Sequence, residues 1–427
     1  MIINFSIENF GPIKEKQTLS FEADKSKYLE DYYVVEVGNL RLLKMALIYG
    51  ANASGKTSIL KALDFLRDLV LEPQEKKTET LNFNPFLFDP NAPEQNSKLS
   101  IEFIQNEIKY FYEIEFSKKA IVKEALFFYH PNKANIFRRT TNLDNQLTEI
   151  SLGSKIKKDA IALKTLESNT LWNNTVLGGF LKTNIEWTEL GEVTDWFKNY
   201  LQRSIHADVE INSFVASKLG SSKAFKFSVV NILRKADFNI SDVLIEKEKI
   251  KTWNDSSSYK RKKQNSLDNI ESDGLIEVIN VSFEHTINDI SYSLPFELES
   301  QGTQRYFGFA GLLSLLINAS VAFPIDELES SLHPDLYIHF ILSFINNAKQ
   351  SQIIATTHNR EILNNKDIFR DDVIWITDKS SASATELYSL ADFDSSVIRD
   401  TTNRLNAYKS GKLGGVPNLG DAYITTD

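Results

Sequence analysis

Residues Gly50 to Thr57 read G-A-N-A-S-G-K-T. They satisfy every fixed position of the phosphate-loop pattern G-x-x-x-x-G-K-[ST]. The chemistry asks for these types. Glycines at 50 and 55 let the backbone curl until its N–H groups face phosphate oxygens. A helix that starts there adds partial positive charge. The Lys56 ammonium would reach the β- and γ-phosphates of a bound nucleotide, and the Thr57 hydroxyl would hold Mg²⁺. Asn52, Ala53, Ser54, Gly55, Lys56, Thr57 and Ser58 are the expected nucleotide contacts. The competing explanation is a glycine-bearing strand–helix turn with a chance lysine.

A phosphate loop needs acidic partners, and the chain supplies them far downstream. Val321 to Ile325 is an apolar run that ends in Asp326-Glu327. This reads as a Walker B strand, with carboxylates at the strand end where ligands of open α/β sheets bind. Asp326 would hold Mg²⁺ directly or through water, and Glu327 would polarise an attacking water. Ser300-Gln301-Gly302 opens a helical stretch about 25 residues earlier, and a Ser and Gly at a helix N-terminus make an anion site. Its bland reading is a plain helix cap by Ser300 or Thr303. Gln352 to Thr356 reads as a strand that delivers His358 beside the carboxylates, within reach of a γ-phosphate. The bland reading of His358 is a satisfied structural histidine. The six histidines, at 130, 206, 285, 333, 339 and 358, are scattered, so no metal cluster is expected.

These groups must be positioned by elements. Leu42 to Tyr49 is mostly apolar and long enough for one buried strand. Ser58 to Leu71 carries Ile59, Leu60, Leu63, Leu66 and Val70 at helical spacing. Strand, glycine loop and helix form the context the motif requires. Upstream, Ile2 to Glu8 and Gln17 to Glu22 alternate like hairpin strands around the turn Asn9-Phe10-Gly11-Pro12. Thr78 to Asn96 reads as an irregular loop. Leu99 to Ile104, Lys109 to Phe116 and Ala125 to Tyr129 read as antiparallel strands. From about Thr148 to Ile240 helical spacing dominates, as in Ile161, Leu163, Leu166 and in Val193, Trp196, Phe197, Leu201, with a further helix over Phe225 to Ala236. Val243 to Ile250 and Leu275 to His285 are strand-like, and His333-Pro334 opens another helix. Between those strands lies a polar stretch with a basic cluster, Lys260 to Lys263, read as a solvated loop or as a phosphate-contacting patch.

Composition bounds the rest. The chain has 427 residues, 42% hydrophobic and 25% charged, which is ordinary for a globular protein of about two or three domain-sized units. With no cysteine, disulfides and thiolate metal sites are excluded. The first residues lack a basic segment followed by an apolar one, and no apolar run reaches membrane-spanning length. A cytoplasmic protein is expected. The net charge of −9 disfavours nucleic acid as a partner of the whole surface, so any such contact needs a local basic patch.

In order and content the set resembles the ABC-type ATPase heads of the SMC, RecF and OLD kind, and among these the stand-alone AAA-family ATPases of anti-phage and abortive-infection operons. The signatures are the opening I-E-N-F-G-P-I (Ile7 to Ile13), GANASGKT, ESQGTQRY (Glu299 to Tyr306), IDELESSLHP (Ile325 to Pro334) and TTHN (Thr356 to Asn359). The closing stretch from Ala407-Tyr408 through Gly411-Lys412-Leu413-Gly414-Gly415-Val416-Pro417 is similar to the tail of members paired with a nuclease-like protein of the RloB type. The resemblance covers roughly residues 1–130 and 275–420.

It implies an α/β P-loop NTPase of ABC type: a two-lobed head with an antiparallel β subdomain and a helical insertion. The expected division is an N-terminal lobe over 1–147, the insertion over 148–240 as lever or partner platform, and a C-terminal lobe over 241–427 with a loop at 254–274. Ser300 and Gly302 would contact the γ-phosphate of ATP held by an opposite subunit. Glu327 would be the catalytic glutamate and His358 the switch histidine. Ser330, Ser331, Leu332 and His333 stand at the D-loop, where the usual Asp is His333. The Q-loop glutamine stays open between Gln95 and Gln105. Two heads would pair around ATP and Mg²⁺.

Three activities compete. One is an ATP-driven switch that controls a nuclease-like, Toprim or RloB-type, effector in defence. Another is a DNA-repair or DNA-binding head like RecF or SMC. The third is an OLD-like nuclease, which would have to use Asp392-Phe393-Asp394. Too little chain follows that D-x-D for a Toprim domain, so a turn explains it better and no intrinsic nuclease is expected.

Overall fold

The apolar run before the glycine loop folds as two strands in two different sheets, not as one. Lys44 is the crossing point. Its N–H donates to Tyr33 O at 2.9 Å, while its carbonyl accepts from Ile353 N at 2.9 Å. Leu40–Leu43 before it pairs antiparallel with Val34–Val37, and Met45–Gly50 after it enters a parallel sheet. The structure is a computed structural model that describes residues 1–156, 159–206, 211–236, 239–251, 275–330, 332–393 and 404–416. The basic cluster Lys260 to Lys263 with its loop at 254–274, Ser331, Asp394 and Pro417 lie outside the described residues.

In chain order the strands are β1 (Ile2–Glu8), β2 (Gln17–Ser20), β3 (Val34–Val37), β4 (Leu40–Leu43) and β5 (Met45–Gly50). After the helix Lys56–Leu71 come β6 (Ser97–Gln105), β7 (Ile108–Phe116), β8 (Ile121–Tyr129), β9 (Lys133–Asn142) and β10 (Leu147–Leu152). Further on are β11 (Asp242–Lys251), β12 (Leu275–Ile287), β13 (Ile290–Pro295), β14 (Ala322–Ile325), β15 (Gln352–Thr356), β16 (Ile374–Lys379) and β17 (Thr385–Ser389). The sheet that carries the glycine loop has the order β14-β15-β5-β16-β17. Its first four strands are parallel and β17 returns antiparallel. Every residue of β5 is buried, as a central parallel strand covered on both faces must be. The second sheet is antiparallel, in the order β10-β9-β8-β7-β6-β1-β2.

Gln352 fastens the two sheets. Its wholly buried amide accepts from Ile2 N at 2.6 Å and donates to Ile2 O and Leu43 O, each at 3.0 Å. A buried amide so bonded satisfies most of its capacity and fixes register. Within the antiparallel sheet, Tyr112 donates to Glu124 at 2.8 Å, and Glu124 also accepts from Val176 N at 2.8 Å. Burial pushes the Glu124 carboxyl up, and it pushes the neighbouring Arg139 guanidinium down to about 10.

The chain divides into two compact units. One comprises Met1–Ser204, Val321–Leu328 and Gln350–Asp427; the other comprises Ile205–Ser320 and Glu329–Lys349. The first unit holds both large sheets and the helices up to the turn at Trp196–Tyr200. The stretch read as one insertion over 148–240 is therefore shared between the units. Its opening is not helical, because Leu147–Leu152 is the edge strand β10, of which only Ile150 is buried. Among its described residues the second unit has the sheet β11-β12-β13 and the helices Ile211–Ser221, Lys223–Lys235, Gln301–Asn318 and Pro334–Asn347. The last two meet where Tyr306 OH bonds His339 Nδ1 at 2.9 Å. Among the described residues no helix is long and apolar enough to cross a membrane.

Candidate functional site

The glycine loop leaves the C-terminal edge of the parallel sheet, where β5 stops and the helix Lys56–Leu71 starts. Gly55 has φ +106, and a Cβ there would lie 2.3 Å from Thr385 Oγ1. Only glycine fits that position. Asn52 and Ala53 form the exposed crest of the loop, and Ser54 and Lys56 are buried beneath it. The Lys56 ammonium donates to the carbonyls of Gly50 at 2.8 Å and Ala51 at 3.0 Å. It is thereby held at the loop itself. Ser58, in the first turn of the helix, faces Gly11 of the N-terminal turn.

The hairpin β16–β17 braces the loop from one side, a support that sequence reading missed. Thr377 Oγ1 donates to Tyr49 O at 2.9 Å, so its other contact, Ser54 Oγ at 2.6 Å, must be the donor. Thr385 Oγ1 donates to Ser54 O at 2.7 Å. The Ser54 side chain thus serves the loop's shape, as does its backbone N–H, which donates to Ala51 O at 3.2 Å.

The acidic pair sits just past β14. Thr57 Oγ1 lies 3.1 Å from both carboxylate oxygens of Asp326. A hydroxyl and a carboxylate converging in this way are hard oxygen donors that suit Mg²⁺. Glu327 has φ +51, the left-handed region that costs a non-glycine residue about 1–2 kcal/mol. Thr356 holds it there. Its hydroxyl accepts from Glu327 N at 2.8 Å and donates to Asp326 Oδ1 at 2.5 Å, and its carbonyl accepts from Leu328 N at 3.1 Å. One buried threonine orders both acids, and its only trace in the sequence is the first letter of TTHN. His358 follows β15, with Nε2 4.0 Å from Glu327 Oε1. Both side chains are partly open, at 39% and 47% exposure. The structure thus brings Lys56, Thr57, Asp326, Glu327 and His358 together within the first unit.

Ser300 and Gly302 belong to the second unit. Ser300 is the N-cap of the helix Gln301–Asn318, its Oγ accepting from Thr303 N at 3.1 Å. The cap reading is therefore correct as far as it goes. Gly302 is not explained by it. A Cβ there would meet only Ser300 Oγ, at 3.8 Å, and a helical glycine costs roughly up to 1 kcal/mol against alanine. Nothing among the described residues of the unit requires it. Among the described residues the N–H groups of Gln301 and Gly302 have no backbone acceptor, as expected of a helix start.

Gln95 is exposed beyond a short 3₁₀ turn, and Gln105 ends β6. Asp392 closes a capping box with Ser389, whose N–H donates to its carboxylate at 2.9 Å, so this Asp is a turn residue. Among the described residues no group of three or more His, Asp or Glu could hold a metal.

A parallel sheet with a glycine loop on its central strand, an acid pair on the strand beyond its neighbour and an antiparallel companion sheet defines a P-loop NTPase head of the ABC type. The chain matches, over residues 45–364, the family described as "AAA domain, putative AbiEii toxin, Type IV TA system". It belongs to that family of AAA ATPase domains. Among solved structures it is similar to the SMC head domain from Thermotoga maritima, at 12% identity and a TM-score of 0.41, covering 91% of this chain and 98% of that one. It is also similar to an SMC head bound to the C-terminal winged-helix domain of ScpA, at 11% identity and a TM-score of 0.43, covering 91% and 97%. No curated protein matches it.

Proposed function

We propose that this chain binds and hydrolyses ATP, dimerises around it, and acts as a switch on a nuclease-like effector in anti-phage defence. The observation that carries the ATPase reading is the single cluster of Lys56, Thr57 and Asp326 with Glu327 and His358 beside it. Loop N–H groups and the Lys56 ammonium would bind and orient the phosphates. Lys56 exchanges its carbonyl partners for phosphate oxygens, which carry more charge. Thr57 and Asp326 would hold Mg²⁺, which neutralises charge on the phosphates. Glu327 accepts a proton from the attacking water, and His358 donates toward the γ-phosphate. The family's description as a toxin–antitoxin domain supports the defence reading over a repair role, and the net charge of −9 points the same way.

The dimer reading rests on Gly302 and the open N–H groups at its helix start. They suit a γ-phosphate carried by a second copy, which would make ATP part of the interface. Complementation tests it. Lys56→Ala and Ser300→Arg should each be inactive alone. A mixed dimer has one site with both lesions and one with neither, so mixing should restore up to about half of wild-type ATPase per mixed dimer. Subunits that exchange and never regain activity would contradict the arrangement in trans. Disulfide crosslinking of Ser300→Cys with Asn52→Cys then separates a wrong arrangement from strictly coupled sites, because the native chain has no cysteine.

A further inference from the structure

The last described segment, Gly411 to Val416, packs on the foot of the phosphate loop. It follows the helix Arg404–Lys409, whose Arg404 pairs with Asp371 at 2.7 Å and donates to Phe369 O at 3.1 Å. Leu413 is wholly buried. Tyr388 OH donates to Leu413 O at 2.9 Å, and Tyr408 OH donates to Gly415 O at 2.8 Å. Gly415 has φ +64. A Cβ there would lie 2.8 Å from Ile376 Cγ2, 3.1 Å from Thr377 O and 3.5 Å from the Cα of Gly50. Thr377 is thus shared. Its hydroxyl braces Tyr49 and Ser54, and its carbonyl faces both Gly415 and Gly50.

We propose that Leu413–Val416 is a positioning element of the nucleotide site: seated on Thr377 and Gly50, it holds the phosphate loop in its binding shape. Phosphate recognition by backbone N–H groups tolerates errors of only about 0.5 Å, so the neighbour that fixes Gly50 bears on affinity. Coupling of this kind is reciprocal, and nucleotide must in turn favour the seated segment. The proposal rests on the reading that the loop binds ATP.

The test uses the full chain and ATP with Mg²⁺. Gly415→Ala adds a methyl against Ile376, Thr377 and the foot of the loop. Gly411→Ala is the matched control, because Gly411 also has positive φ, at +75, but a Cβ there would meet nothing among the described residues within 4 Å. Gly415→Ala should weaken ATP binding about 5–100-fold, the usual size of such coupling, and raise KM with kcat at saturation unchanged. Gly411→Ala should change binding by less than about twofold, since it carries only the backbone strain. Equal losses in the two variants, or none in Gly415→Ala, overturn the proposal. If Gly415→Ala fails to fold, amide exchange in the wild-type chain decides. ATP should slow exchange at Lys412 N and Gly414 N, which donate to Ala407 O and Gly411 O, and should do nothing in Lys56→Ala. No slowing in a wild-type chain that binds ATP overturns the proposal. A wild-type chain that binds no ATP refutes the site reading itself.

Discussion

Glu327→Gln should bind ATP like the wild type and hydrolyse it about 10²–10⁴-fold more slowly, the usual worth of a positioned general base. The change is isosteric. It leaves the backbone contacts of Glu327 to Thr356 in place, because those use the N–H and not the carboxylate. Asp326 keeps its bonds from Thr57 and Thr356, so nucleotide and Mg²⁺ affinity should hold. What is lost is the group that takes the proton from water. The variant should therefore accumulate as a closed, ATP-bound dimer, visible by light scattering. Turnover equal to wild type would remove Glu327 from the base role and move attention to His358, 4.0 Å away.

Lys56→Ala should lose ATP binding by about 10²–10⁴-fold, since removing one partner of a buried charge pair costs roughly 3–5 kcal/mol. The ammonium is buried and already points into the loop, at the carbonyls of Gly50 and Ala51. Removing it takes a bond from each of those carbonyls, of which Ala51 O keeps Ser54 N at 3.2 Å, as well as the charge that faces the phosphates. Lys56→Arg should rescue little. The guanidinium is a rigid planar fork, and the pocket is sized for a point charge. Isothermal titration of the two variants measures this. Binding at wild-type strength by Lys56→Ala would show that the loop does not serve phosphate.

The residues read most surely from sequence were those whose job is local. Gly50, Gly55, Lys56 and Thr57 sit within one short stretch of chain, between the end of β5 and the first turn of the helix, and their types follow from what a phosphate demands. Ser300 as helix cap and Gln352–Thr356 as strand were legible for the same reason. The braces were not. Thr377 and Thr385 are ordinary strand residues, and what makes them important is their packing on a loop more than three hundred positions earlier. Thr356 looked like a strand residue before it proved to be the ligature of both acids. Leu42 to Tyr49 read as one strand because hydropathy does not show a change of sheet; Lys44, the one charge in the run, was the available signal. The strand β10 was read into a helical region because, at the rim of its sheet, it buries only Ile150 and shows almost no alternation. The Gly414-Gly415 pair was visible as a tail motif. That both glycines need positive φ against β16 and β17 appears only in three dimensions.

The place of β5 in the middle of its sheet sets a timetable for synthesis. Its two neighbours, β15 and β16, emerge about three hundred residues after it. At roughly 5–20 residues per second, the wholly apolar strand Met45–Gly50 waits about 15–60 s for hydrogen-bonding partners. Until then the motif exists in the chain but not in space, and the strand is a candidate for chaperone capture. Nascent chains stalled so that residues past Thr356 have not left the ribosome should fail to bind ATP-agarose, and those released past Val416 should bind it. Retention of chains stalled near Lys235 would mean that the loop forms without its sheet.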